Sequence, residues 1–266
     1  MWCSLAVAAV LAAVHAQTGL QITNTRLTIG ELGGTRPNAQ VLPGDILFIA
    51  FDIDGVTIDP LGAVRYTMSL EVTNALGKQV LKQDPREIAE FAPLRGSKIP
   101  ARAFVTVGAD QDPGNFSCKI TVTDLSNKSS ATILQKFDVL KKDFGIVGVN
   151  TFYDEERRIP APTSGFVGQL IVVNFVIVGF TRDPKTKQPI VEIEFQALDD
   201  KNQPTMPEPL KDKVDSGIKE EDSGFVRQFP LFMNRPGKFS VKIKATDRVG
   251  NRVFTYDLPV TIYPAP

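Results

Sequence analysis

"PGNFSCKITVTD", residues 113–124, returns 123 positions later as "PGKFSVKIKATD", residues 236–247. In the first copy Phe116, Cys118, Ile120 and Val122 share one face, and Lys119, Thr121 and Thr123 take the other. In the second, Phe239, Val241, Ile243 and Ala245 alternate with Lys242, Lys244 and Thr246. Successive side chains of an extended strand point to opposite faces, so each phrase reads as a half-buried β-strand; a helix needs apolar positions three and four apart. Each strand is entered through a Pro-Gly turn and left through an Asp-containing one.

The likeness spreads outward from these phrases. "GDILFIAFDIDG" (44–55) answers to "GQLIVVNFVIVG" (168–179), and "YTMSLEVTNALGKQ" (66–79) to "VEIEFQALDDKNQ", which starts at Val191. A period this long, occurring twice, marks a duplicated domain, because short solenoid repeats need more copies to bury a core. About seven strand-like runs are countable per copy, lying in the first near residues 20–28, 45–53, 64–74, 77–82, 101–107, 115–124 and 131–140. Many short alternating strands without interleaved helices predict an all-β chain of antiparallel sandwiches. The stretches Asp84 to Pro100 and Glu208 to Asp222 read as long connections with at most one helical turn each. The expected division is a signal peptide at 1–16, one sandwich at 17–140, a linker at 141–143 and a second sandwich at 144–266. So short a linker predicts a stiff pair.

The signal peptide is read from "MWCSLAVAAVLAAVHA" (1–16), which carries no Asp, Glu, Lys or Arg and ends in Val14-His15-Ala16. Its apolar run is shorter than the roughly 20 residues that a membrane-spanning helix needs. Cleavage before Gln17 would remove the only His (His15) and the only Trp (Trp2), leaving Cys118 as the one thiol. Without imidazole, Ser-His-Asp triads, Cys-His pairs and His-ligated zinc are excluded, and a two-carboxylate hydrolase such as a glycosidase remains as the enzymatic alternative. Cys118 matches Val241 in the other copy, the position of a small buried hydrophobe. Basic and acidic residues balance at 30 each, with no basic stripe for nucleic acid and no polybasic patch for a membrane surface. No further stretch is long and apolar enough to predict a transmembrane helix.

Each half resembles an immunoglobulin-like or fibronectin type III-like domain of bacterial exported proteins, above all in "PGKFSVKIKATDRVGNRVFTYDLPVTI" (236–262). The Cys…Trp…Cys framework of antibody domains is missing. The resemblance implies binding, adhesion or spacing, although a fold alone does not set a function. Calcium-dependent sandwich modules use Asp-x-Asp pieces like Asp52-Ile53-Asp54, which makes a calcium-stiffened adhesive spacer a further alternative. Asp52 and Asp54 answer to Val176 and Val178 in the second copy, however, and Asp59, Asp124 and Asp247 sit at turns. No metal site and no cofactor are therefore assigned. Asn115-Phe116-Ser117 and Asn127-Lys128-Ser129 are formal N-glycan acceptors.

One feature points to a contact surface. Leu47, Ile49, Phe51 and Ile53, with Ile171, Val173, Phe175 and Ile177, read as core, yet the opposite face is also apolar. Ile46, Phe48, Leu170, Val172 and Val176 are therefore candidate contact residues, exposed to a partner or covered by a connection or the other domain. The expected function is an exported, non-catalytic binding or structural module. Its expected partner is an extracytoplasmic protein or polysaccharide rather than nucleic acid.

Overall fold

The computed structural model describes residues 19–265, so the signal-peptide reading lies outside the described residues. Every described element is a strand. The N-terminal half contains β1 (Gln21–Thr28), β2 (Gln40–Val41), β3 (Ile46–Asp54), β4 (Ala63–Asn74), β5 (Gln79–Phe91), β6 (Lys98–Thr106), β7 (Gly114–Asp124) and β8 (Ser130–Val139). The C-terminal half contains β9 (Gly145–Phe152), β10 (Ser164–Phe166), β11 (Leu170–Val178), β12 (Val191–Leu198), β13 (Leu210–Val214), β14 (Gly224–Phe232), β15 (Gly237–Asp247) and β16 (Arg252–Tyr263). These form sheets ordered β1-β3-β6 and β2-β8-β7-β4-β5, then β9-β11-β14 and β10-β16-β15-β12-β13. The short β2 and β10 pair parallel with β8 and β16; the other neighbours are antiparallel. The architecture is all-β and compatible with β-sandwich domains. No helix among the described residues is long and apolar enough to cross a membrane.

The repeated phrase is β7 and β15, interior strands of the two five-stranded sheets. Cys118, Ile120 and Val122, and likewise Val241, Ile243 and Ala245, are fully buried. They face Leu47, Ile49, Phe51 and Ile53 of β3, or Ile171, Val173, Phe175 and Ile177 of β11, across one shared core in each half. Each buried Val, Leu, Ile or Phe among them contributes about 1.5–3 kcal/mol, so these alternations hold the sheets together. Burial pushes the Cys118 thiol up to about 12. A thiol reagent at pH 8 should leave Cys118 unlabelled in the folded protein and modify it fully in denaturant; labelling of the folded protein would show that the core opens on its own.

The structure corrects the reading of Asp84 to Pro100 as a connection. Strand β5 continues to Phe91, hairpinned on β4, and only residues 92–97 separate it from β6. Lys82, Asp84, Pro85, Arg86 and Glu87 obscured it, and all are tolerated because β5 is the sheet edge. Pairing slips by one residue where Met68 faces Arg86 and Leu70 faces Gln83, leaving Asp84-Pro85 as a bulge. Its counterpart in the C-terminal half is shorter: β13 occupies the equivalent edge over Leu210–Val214.

The β1–β2 connection joins the halves. Ile29, which belongs to this connection, is 3% exposed and packs in the core cluster of the C-terminal half with Phe144, Ile146 and Val149. Next to it the backbone N–H groups of Glu31 and Gly34 donate to Asn150 Oδ1 (3.1 Å) and Thr163 Oγ1 (3.0 Å). Gly30 has φ +67°, and a Cβ there would run into Asn150, so a glycine is required on both counts. The buried Asp45 adds a second tie: it pairs with Arg36 Nη2 at 2.7 Å and accepts from Gly148 N at 2.8 Å.

Candidate functional site

The five candidate contact residues lie on the outer faces of the three-stranded sheets, in different settings. Phe48 is 9% exposed, between Thr28 on β1 and Phe104 on β6, whose ring centroid is 6.1 Å away. Ile46 is half-buried at the start of the same strand. The β1–β2 connection reaches this face farther along, where Glu31, Leu32, Gly33 and Ala50 line a cleft of about 230 Å³ and Glu31 pairs with Arg102 at 3.2 Å. On β11, Val172 is 5% exposed, flanked by Phe152 and Pro230. The β9–β10 connection is tied to this sheet through Gln228 Nε2, which donates to Glu155 O at 3.0 Å. Val176 is half-buried and lines a cleft of about 220 Å³ together with Pro43, Gly44 and Ala109 of the N-terminal half. Leu170 alone of the five is substantially exposed, at 48%.

Leu170 marks an apolar end of the molecule. Val178 pairs with Gly145 just after the linker, so Leu170 sits at the far end of β11, roughly 27 Å away at strand rise. Across the ladder it faces Phe232, which is 58% exposed. Phe166 and Tyr263, both half exposed, lie side by side with ring centroids 5.8 Å apart, and Phe166 joins β11 through the turn it makes with Gln169. Phe166, Phe232 and Tyr263 escape a sequence reading because each is the last residue of its strand, where alternation no longer marks the face.

Beside this end a cleft of about 360 Å³ opens between the two sheets, walled by Phe195, Val241 and Val260 on one side and Leu231 and Phe232 on the other. A second cleft, of about 640 Å³, lies between the halves and is lined by Asp45, Asp143 and Asp257. Asp45 is engaged by Arg36, and Asp143 by Arg252 at 2.9 Å, so both carboxylates are already ion-paired.

The other acidic candidates have local partners. Asp52 accepts from Asn24 Nδ2 at 3.0 Å, and Asp54 pairs with Lys98 at 3.3 Å. Asp59 organises its own turn by accepting from Leu61 N and Ala63 N. Asp124 and Asp247 are fully buried corner residues: Asp124 accepts from Thr57 N and Ser126 N, Asp247 from Thr181 N, Gly250 N and Arg252. Among the described residues no group of three or more His, Cys, Asp or Glu is arranged to hold a metal ion. Asn115 and Asn127 are both exposed, at the start of β7 and in the β7–β8 turn.

No protein-family model matches the chain, and no curated protein matches it. Among solved structures it is similar to the C-terminal domain of the antigen I/II polypeptide BspA of Streptococcus agalactiae, at 8% identity and a TM-score of 0.30 over 91% of this chain and 99% of that one. The C-terminal domain of the antigen I/II-family protein AspA of Streptococcus pyogenes matches over the same shares, at 10% identity and a TM-score of 0.30. A family 123 glycoside hydrolase from Clostridium perfringens matches 46% of this chain at 14% identity and a TM-score of 0.31, and the chain spans only 27% of that enzyme. None of these likenesses carries a function to this chain.

Proposed function

We propose that the chain is an exported, non-catalytic binding module of two immunoglobulin-like sandwiches (17–140 and 144–266) that meets an extracytoplasmic protein through the apolar end of its C-terminal half. The observation that carries this reading is the exposed apolar pair Leu170 and Phe232, facing each other across β11 and β14, with the exposed pair Phe166 and Tyr263 on the other sheet at the same end. Large apolar side chains gathered at one end mark a contact surface, and aromatic anchors commonly dominate such contacts. The ties through Ile29, Asp45 and Asn150 support a role in presenting that end at a fixed angle. Catalysis by two carboxylates needs a free pair, whereas the inter-half cleft uses Asp45 and Asp143 in ion pairs.

The test is capture from the envelope and secreted fractions of the source with residues 17–266 as bait. Leu170→Asp places a charge on a half-exposed side chain, so the melting temperature should stay within about 2 °C of wild type. Partner retention should fall at least about tenfold, the loss of a central apolar anchor. A folded Leu170→Asp protein that captures the same partner equally well would refute the assignment.

A further inference from the structure

We propose that the cleft between the sheets of the C-terminal half is a binding slot for a single-chain amphiphile with an anionic head, a fatty carboxylate in chemical class. At about 360 Å³ it falls within the roughly 300–1,000 Å³ typical of small-ligand sites. Phe195, Val241 and Val260 form an apolar floor, Leu231 and Phe232 the opposite wall, and Met206 a flexible side. Such walls gain from exchanging water for hydrocarbon, and a methionine adapts to the shape of what enters.

The lining of the slot differs from that of the N-terminal half, where a cleft of about 400 Å³ beside Phe116 is lined mainly by the polar loops around Asn74 and Asp112. In the N-terminal half Phe116 faces Phe137 across β7 and β8, and the rings stack with centroids 5.5 Å apart, both nearly buried. The same register in the C-terminal half sets Phe239 against Val260. One copy thus carries a phenyl ring at the position where the other has the smaller valine. Phe239, no longer stacked on a partner ring, is only partly buried and lines the opening.

The head group is assigned from the rim. Arg235 is the only charged side chain lining the cleft, with its guanidinium 5.1 Å from the Phe239 ring centroid and Asn234 next to it. A planar guanidinium held on an aromatic face presents a fork that suits a carboxylate. Asp199 lies close enough to feel the Arg235 charge, but its Oδ1 is taken by the N–H groups of Lys201 and Gln203. A cationic head is disfavoured at this rim by like charge.

The probe is dodecanoate, titrated into residues 17–266 carrying isotope-labelled methionine methyls and followed by NMR. The Met206 methyl should shift saturably, whereas that of Met68, in the other half, should not move. Val260→Phe installs the ring that the other copy uses, and should weaken dodecanoate binding by more than about tenfold without lowering the melting temperature. Arg235→Glu, on the exposed rim, should weaken dodecanoate by about tenfold and favour dodecylamine instead. Absence of a saturable Met206 shift, or equal binding by folded Val260→Phe, would overturn the slot. If Val260→Phe does not fold, unchanged dodecanoate binding by Arg235→Glu overturns the assignment of the head. Leu170 does not line the cleft, so Leu170→Asp should keep dodecanoate binding. Loss of the protein partner and loss of the amphiphile are thereby read separately.

Discussion

Ile29→Ala should lower the stability of the C-terminal half although the residue lies in the chain of the N-terminal half. Ile29 is 3% exposed and packs in the core cluster formed by β9, β11, β12, β15 and β16. Cutting a buried isoleucine back to alanine costs about 2–5 kcal/mol, the spread depending on how far the site collapses. A loss near 3 kcal/mol in a unit of this size should lower its melting temperature by about 10 °C. Cys118 identifies which half is affected, because its thiol lies in the core of the other half and is shielded until that half unfolds. The expected result in calorimetry is an early transition during which Cys118 stays resistant to a thiol reagent. Labelling of Cys118 within that transition would show that Ile29 supports the N-terminal core, and an unchanged melt would show that its side chain is not packed.

Ile29 also illustrates what a sequence read in isolation conceals. The strands β3, β4, β7, β11, β12 and β15 are legible because each alternates with period two and has one wet face or a match in the other copy. Strand β5 beyond Asp84 is not legible, since an edge accepts the charges and the proline that ordinarily end a strand. The pairings of β2 and β10 involve two and three residues, too few to leave a period. Ile29 is a single apolar residue between Thr28 and Gly30, and only the tertiary contact distinguishes it from any loop isoleucine. The doubly apolar face of β3 and β11 was visible as an anomaly. What lies against it was not, because those neighbours are the connections after β1 and β9 and, at Val176, Pro43, Gly44 and Ala109 of the other half, rather than the stretch after Asp84. The proposed slot rests in part on a single residue difference at one register position, Val260 against Phe137, which emerges only once the ladders are aligned.

The repeated "TD" that closes each phrase carries the second large effect. Asp247 is fully buried, accepting from Thr181 N and Gly250 N, each at 2.9 Å, and pairing with Arg252 at 2.8 Å. Asp124 closes the equivalent corner, accepting from Thr57 N at 2.8 Å and Ser126 N at 2.7 Å. Burial alone would raise both carboxyls, but these hydrogen bonds outweigh it and hold both below the ordinary aspartate value. Asp247→Asn turns an amide N–H₂ toward donors that need an acceptor, and should cost about 3 kcal/mol at pH 7. A depressed folded-state value means that the stabilisation is complete above the unfolded value of about 3.9 and is lost as pH falls through the folded value. Wild-type melting temperature should therefore drop steeply below about pH 4, and Asp247→Asn should start lower and fall less over that window. Asp110→Asn serves as the control, because Asp110 is 93% exposed beside Lys142 and such surface pairs contribute only about 0–1 kcal/mol. Equal melting of Asp247→Asn and Asp110→Asn at pH 7, or parallel acid profiles for Asp247→Asn and wild type, would remove the corner carboxylate as a source of stability. It would then explain the repeated Asp only by its liking for turns.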